Sequence, residues 1–375
     1  MKKIFLWTLI AFGVLFFGIV TCSSLAMRDK LPFDVNRPSS KFITPIKVQE
    51  ALGREYDYIF LAFSDIQCRD REECKKLAPR IWSLNDLFPG SKAKKSILVV
   101  GDLIQYGKVE EIREYLEIEL KVKKDFVFRV CGNHDIKFGL ANCLKLIEQK
   151  EVFYGTGVKN SNLHVLVVSN WHNDAPKNSD LQKYVPEQGV DFYKAEATKA
   201  LKEDKIIFGL LHEKPHDVAR FNDPIRSYFS WIMGLRDESS IYNSEYFEEA
   251  LDNLPSEELC RGGLRMIQFF GHTHAGRQWP GALTISRCIL FINTSSIRTS
   301  DHSEDLRKYS VFGKPIGKFL NKVFPWSKHS WATVLLFKCD SNEAVLLTRN
   351  LSKGTWFKFA YKLKLGVPVR CFAEY

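Results

Sequence analysis

The residues of this chain best suited to chemistry sit in short polar clusters that follow apolar runs. The clearest is Phe128-Arg129-Val130-Cys131-Gly132-Asn133-His134-Asp135, where a short apolar strand enters a tight glycine turn and presents an amide, an imidazole and a carboxylate in succession. Such groups are poor core material but suit divalent cations and phosphate oxygens. Alone, the octet is also what an ordinary surface turn looks like. Four further apolar runs end the same way. Tyr58 to Phe63 leads to Asp65 and Gln67, and Ser96 to Val100 leads to Gly101 and Asp102. Lys205 to Leu211 leads to His212, and Met266 to Phe270 leads to His272 and His274. Each end taken singly has a plain structural explanation, because Gly-Asp and lone histidines are common in turns. Their joint occurrence is harder to explain that way. Function in open α/β sheets gathers at the carboxyl ends of strands, so the five clusters are expected to converge.

The elements that would position them alternate between apolar runs and helix-like stretches. Helices are expected at roughly 70–87, 108–124 and 190–204, with Val109, Ile112, Leu116 and Leu120 on one face of the second. A fourth strand, Leu163 to Val168, ends in Asn170, Trp171, His172 and Asn173, which either line a pocket or form a capped turn. Residues 213–262 lack an alternating strand pattern and read as a mostly helical insertion. Further strands are expected near 288–293, 332–338, 344–348 and 355–363. Continuously apolar strands alternating with helices predict sheets covered on both faces, and the closer spacing of the later strands predicts some antiparallel pairing.

The ordered set Asp-x-Gln, Gly-Asp-Leu-Ile-Gln-Tyr-Gly, Gly-Asn-His-Asp, a strand-end histidine and Gly-His-Thr-His resembles the calcineurin-like metallophosphoesterase superfamily. It spans residues 65–274, and the Gly-His-Thr-His-Ala-Gly-Arg form resembles the membrane-associated branch. The resemblance implies an α/β fold, a four-layer α/β/β/α sandwich of two mixed sheets, with two divalent metal ions at the sheet ends. Carried over residue by residue, Asp65, Gln67 and His274 would hold the first metal. Asn133, His212 and His272 would hold the second, and Asp102 would bridge the two. A hydroxide shared by the metals would attack phosphorus in a phosphodiester, phosphomonoester or pyrophosphate, with His134 protonating the leaving oxygen. Asp135 could orient that imidazole, as could Asp102 or a backbone carbonyl, and Arg277 could meet a substrate phosphate. The family's usual first motif is Asp-x-His. Gln67 in the histidine place offers a harder, weaker oxygen donor, which favours Mn²⁺ over Zn²⁺, with Fe and Mg²⁺ also accommodated. Gln67 is also the one residue favouring a different reading, a non-catalytic exported binding module with a degenerate metal site. Intact Asp102, His134, His212, His272 and His274 argue against it.

The 375 residues are 45% hydrophobic and 26% charged, enough for one large domain with insertions. A net charge of +10 favours anionic partners. No zinc-finger, RNA-recognition or recognition-helix pattern is present, so nucleic acid is not an expected partner. Residues 1–26 read as a signal peptide or membrane anchor: Lys2 and Lys3 precede an apolar run from Ile4 to Val20. Cleavage at Ser24-Leu25-Ala26, lipidation at Cys22 and an uncleaved anchor all fit, and each exports the bulk of the chain. Residues 27–54 read as a linker and 55–375 as the phosphoesterase domain. From Arg307 to Lys328, basic residues interleave with Phe312, Ile316, Phe319, Leu320, Val323, Phe324 and Trp326, which reads as a basic surface loop or a membrane-surface contact. Of the nine cysteines, Cys68 and Cys74 form the one local pair suited to a bridge, whereas Cys131, Cys288 and Cys339, inside apolar runs, are expected as buried free thiols.

Overall fold

The computed structural model describes residues 41–68, 71–88, 91–104, 126–169, 185–215, 244–271, 283–294, 296–297, 330–357 and 359–372. In chain order the first half comprises β1 (Ile43–Lys47), α1 (Val48–Leu52), β2 (Tyr58–Phe63), α2 (Arg71–Asn85), β3 (Lys94–Val100), β4 (Val127–Val130), α3 (Leu140–Ile147), β5 (Phe153–Gly157) and β6 (Leu163–Val168). The second half comprises α4 (Glu187–Lys202), β7 (Ile206–Leu210), α5 (Ser244–Asp252), α6 (Ser256–Leu259), β8 (Met266–Phe270), β9 (Leu283–Ser286), β10 (Ile289–Asn293), β11 (Trp331–Phe337), β12 (Glu343–Asn350), β13 (Thr355–Trp356) and β14 (Phe359–Lys364).

These strands form two mixed sheets. The first runs β1-β14-β12-β11-β2-β3-β4, with β13 beside β12, and the second runs β5-β6-β7-β8-β10-β9. Within them β2, β3 and β4 are parallel, as are β6, β7, β8 and β10. The expected antiparallel pairing of the later strands is found in β11, β12 and β14.

The layering follows from the period-2 alternation of side chains along a strand. In β2, Tyr58, Phe60 and Ala62 face the second sheet, while Ile59, Leu61 and Phe63 face α2 and α3. In β6, Leu163, Val165 and Val167 face the first sheet, while Leu166 and Val168 meet Tyr193 and Ala197 of α4. Three hydrophobic interfaces therefore separate four layers, helix, sheet, sheet and helix. In the middle interface Phe60, Phe208 and Phe337 meet with ring centroids 4.7–5.7 Å apart. Burying each ring contributes about 2–3 kcal/mol and fixes one sheet against the other. On the outer face of the first sheet, α2 buries Cys74, Leu77, Ala78, Ile81 and Leu84, the i, i+3, i+4 spacing of one helix face.

Three expectations are corrected. The stretch read as a linker to residue 54 contains β1 and α1, and β1 pairs with β14 from Ile43↔Leu363 to Lys47↔Phe359. Its short, alternating apolar content is too slight to stand out from polar chain. The run expected as one strand at 355–363 is broken into β13 and β14. The expected free thiols are disulfide-bonded: Cys131 to Cys143, Cys288 to Cys260 and Cys339 to Cys371. The local pair Cys68–Cys74 is bridged as expected. The partners of these three cysteines lie 12, 28 and 32 residues away, and only the folded packing brings them together.

Of the 213–262 insertion, residues 244–262 hold α5 and α6, whose Phe247, Leu251 and Leu259 pack with Tyr193 of α4 into the outer layer of the second sheet. That portion is part of the fold's own layering. The expected 108–124 helix, the 1–26 segment and the 307–328 segment lie outside the described residues. Among the described residues, no helix is long and apolar enough to cross a membrane.

Candidate metal centre

The parallel strands of both sheets deliver their carboxyl ends to one edge. Beyond β2 and β3 the chains continue side by side as loops: Asp65 N–H donates to Gly101 O (3.1 Å) and Gln67 N–H to Asp102 O (3.0 Å). Beyond β7 and β8, Gly271 N–H donates to His212 O (2.9 Å). The two sheets are also joined at this edge. Cys131 N–H donates to Ser169 Oγ (2.9 Å), and Ile297 N–H donates to Ser64 O (3.1 Å).

Asp65, Asp102 and His212, all fully buried, converge there with one ligand-type atom from each within 4.8 Å of the others. Asp65, Gln67 and Asp102 all adopt left-handed backbone, with φ of 51°, 46° and 54°. That region costs a non-glycine residue about 1–2 kcal/mol. Three such residues at adjoining strand ends mean that surrounding packing holds them against that preference. Space is equally constrained: a Cβ on Gly132 would lie 2.5 Å from Asp102 N and 2.8 Å from His212 Cδ2.

Each side chain is oriented by neighbours. His212 Nδ1–H donates to Val100 O (2.8 Å), which turns Nε2 toward Asp102 Oδ2 at 3.2 Å. Tying one ring nitrogen to a carbonyl leaves the other as a lone-pair donor, the arrangement used by metal-binding histidines. Burial pushes the His212 pKa down, but the carboxylates of Asp102, Glu213 and Asp65 outweigh it and hold the imidazole well above its ordinary range, so a cation takes the Nε2 lone pair by displacing a proton. Asp102 also receives the His134 backbone N–H on Oδ1 (2.8 Å) and the Gln67 amide Nε2–H on Oδ2 (2.9 Å). With its nitrogen committed to Asp102, the Gln67 amide offers its oxygen as the donor to a cation. Ser64 Oγ–H donates to Asp65 Oδ2, and Thr294 Oγ1–H donates to Ser64 Oγ (3.0 Å). Ser296 Oγ–H donates to Asp65 O (3.0 Å).

The octet's three polar residues take different positions. Asn133 is buried and lies between Gly132 and His134 on the loop against Asp102. The His134 side chain keeps 18% of its surface exposed, with Nε2 3.9 Å from Asp102 Oδ2, so it borders the buried cluster. Asp135 is fully buried and accepts Gly132 N–H (2.9 Å) and Leu103 N–H (3.3 Å) on Oδ2 and Ile104 N–H (3.1 Å) on Oδ1. Both of its oxygens serve the backbone, so it braces the turn against the Asp102 loop. Burial and nearby Asp102 push its pKa up to about 7. His272, His274, Asn170, Trp171, His172, Asn173 and Arg277 lie outside the described residues.

The donor set fits hard or borderline divalent cations. Two buried carboxylates this close repel one another, and a dication offsets that repulsion. Two carboxylates, an amide oxygen and an imidazole are ligands such cations accept. Ser64, Thr294, Ser296 and Ser169 escaped the sequence reading, because a hydroxyl at a strand end carries no pattern of its own.

The family model for calcineurin-like phosphoesterases matches residues 59–276, more than half of the chain. The chain belongs to the calcineurin-like phosphoesterase family. It is therefore a metal-dependent hydrolase of phosphoric esters, from a family built on a dinuclear metal centre. Among solved structures, a dimetal phosphatase from Danio rerio is similar at 13% identity, with a TM-score of 0.50, over 83% of this chain and 99% of that one. That likeness confirms the sandwich of two mixed sheets with flanking helices. A 5'-nucleotidase precursor from Thermus thermophilus is similar at 12% identity, with a TM-score of 0.37, over 83% of this chain and 55% of that one. No curated protein matches the chain.

Proposed function

We propose that this phosphoesterase is exported, belongs to the membrane-associated branch of its family, and hydrolyses a phosphodiester or pyrophosphate bond on a lipid-linked substrate. The observation that carries the catalytic part is the convergence of buried Asp65, Asp102 and His212 at the joined ends of both sheets. In this reading Asp65, Gln67 and His274 hold one metal, Asn133, His212 and His272 the other, and Asp102 bridges. The amide oxygen of Gln67 favours Mn²⁺. When bound, the two cations supply an activated water and neutralise charge on the phosphoryl oxygens.

The chain's own residues do the rest. Asp102, held by the His134 backbone N–H and the Gln67 amide, keeps its carboxylate facing His212. Asp135 fixes the turn from which the His134 imidazole projects at the partly exposed border of the cluster. From there His134 delivers a proton to the leaving oxygen, a role general acids fill with about 10²–10⁴-fold effect. Export is supported by the apolar N-terminal run and by the four disulfides, which persist in oxidising compartments. A lipid-linked substrate is supported by the basic aromatic segment 307–328 and the net positive charge.

The test is hydrolysis by the purified, Mn²⁺-supplemented chain of three substrates: a soluble phosphomonoester reporter, a soluble phosphodiester reporter, and a lipid pyrophosphate in anionic vesicles. The expected result is fastest turnover of the vesicle substrate, lost in His134→Ala. Faster turnover of the soluble monoester overturns the lipid reading, and inactivity on all three overturns the catalytic one.

A further inference from the structure

The four disulfides divide into two pairs by position. Cys68 directly follows Gln67, and its N–H continues the contact between the ligand loops by donating to Leu103 O (3.4 Å). Its partner Cys74 lies on α2. Cys131 directly precedes Gly132 and Asn133, and its N–H is the one received by Ser169 across the sheets. Its partner Cys143 lies on α3. All four sulfur-bearing residues are buried in the same core, between the first sheet and its helices. The other two bridges lie at the opposite end of the strands. Cys288 precedes Ile289, which pairs with Met266 at the start of β8, whereas the site lies beyond its end. Cys339 follows Phe337, which pairs with Tyr58 at the start of β2.

We infer that Cys68–Cys74 and Cys131–Cys143 are positioning bonds of the metal centre: they tie the Asp65–Gln67 loop to α2 and the Gly132–His134 loop to α3, so the chain binds its metals tightly only when both are oxidised. The physical reason lies in the strained backbone. Left-handed Asp65 and Gln67 are held against their own preference, and the loop's next residue is the one covalently fixed. The Gly132 backbone passes so close to Asp102 and His212 that a small shift of its loop displaces both. Ligands must stay within about 0.5 Å of their productive positions to bind well. The distal bridges hold no ligand loop, so they should contribute to stability alone.

This inference rests on the proposed ligand set, and the experiment separates the two. Four double variants of the full chain are compared, Cys68→Ala/Cys74→Ala, Cys131→Ala/Cys143→Ala, Cys260→Ala/Cys288→Ala and Cys339→Ala/Cys371→Ala, with Asp102→Asn as the control for the site. Equilibrium dialysis against Mn²⁺ alone gives the affinity, and circular dichroism gives the melting temperature. All four doubles should melt lower, but only the first two should weaken Mn²⁺ binding, by about tenfold or more, comparable to losing an outer partner of a metal ligand. For any double without native dichroism, the wild-type chain is treated with a water-soluble phosphine, and the opened bridges are mapped by mass. Each opened bridge accepts two electrons from the phosphine and yields two thiols, while water supplies their protons and the oxygen of the phosphine oxide. Opening Cys68–Cys74 or Cys131–Cys143 should then track loss of Mn²⁺. Unchanged affinity in the loop variants, or an equal loss in the distal ones, overturns the inference. If Asp102→Asn also binds Mn²⁺ as wild type does, the ligand assignment itself fails.

Discussion

Replacing Asp135 separates two ideas about the octet. If its carboxylate orients the His134 ring, Asp135→Ala should slow turnover and leave folding alone. The geometry predicts the reverse emphasis. Three backbone N–H groups, of Gly132, Leu103 and Ile104, donate to this one carboxylate at 2.9–3.3 Å in a fully buried place. Leaving a buried donor unsatisfied costs about 1–3 kcal/mol, so three cost about 3–9 kcal/mol. The raised pKa, from burial and Asp102, offsets part of what the ionised carboxylate contributes, so the net cost should fall toward the lower end of that range. That is a large share of the roughly 5–15 kcal/mol typical of a native domain. Asp135→Asn keeps one acceptor oxygen and turns an NH₂ toward another donor, so it should cost about 2–4 kcal/mol. Urea titration of the metal-free chain reads both as shifts of midpoint at constant slope. A midpoint for Asp135→Ala within about 1 kcal/mol of wild type refutes the bracing role.

Three further changes have defined outcomes. Ser64→Ala removes the hydroxyl that donates to Asp65 and accepts from Thr294, so Mn²⁺ affinity by dialysis should fall about 10–100-fold, while Ser64→Thr retains most of it. Gln67→His restores the family's usual ligand type and should shift preference from Mn²⁺ toward Zn²⁺ in competition dialysis; an unchanged preference means that Gln67 is not a ligand. Gly132→Ala places a methyl against Asp102 and His212, and should abolish phosphoester hydrolysis and Mn²⁺ binding even where circular dichroism remains native.

The convergence of Asp65, Asp102 and His212 was legible in the sequence because each follows a strand buried on both faces. A run such as Tyr58–Phe63 is hard to place anywhere but a covered sheet, and the polar residue just beyond it falls at the sheet's edge. The parallel order then brings Asp65 and Asp102 together, and His212 joins them from the second sheet. What was not legible depends on tertiary packing. The partners of Cys131, Cys288 and Cys339 lie 12, 28 and 32 residues away, and no local pattern links them. β1 has a single well-buried residue, Ile43, and is held mainly by backbone bonds to β14. The hydroxyls of Ser64 and Thr294 acquire their role only when β2 and β10 meet across the two sheets. Asp135 could be read as an orienting group because sequence places it beside His134, whereas folding turns its carboxylate back onto the backbone.

In the proposed function Asp102 joins two metals in one hydrolytic centre. Metal content per chain, measured by elemental analysis after dialysis in Mn²⁺ for wild type and Asp102→Asn, tests it most directly when read beside phosphoester hydrolysis. Two ions are expected per wild-type chain, with at most one weakly held ion in Asp102→Asn and no hydrolysis by the variant. Two retained ions together with undiminished hydrolysis in Asp102→Asn would contradict it.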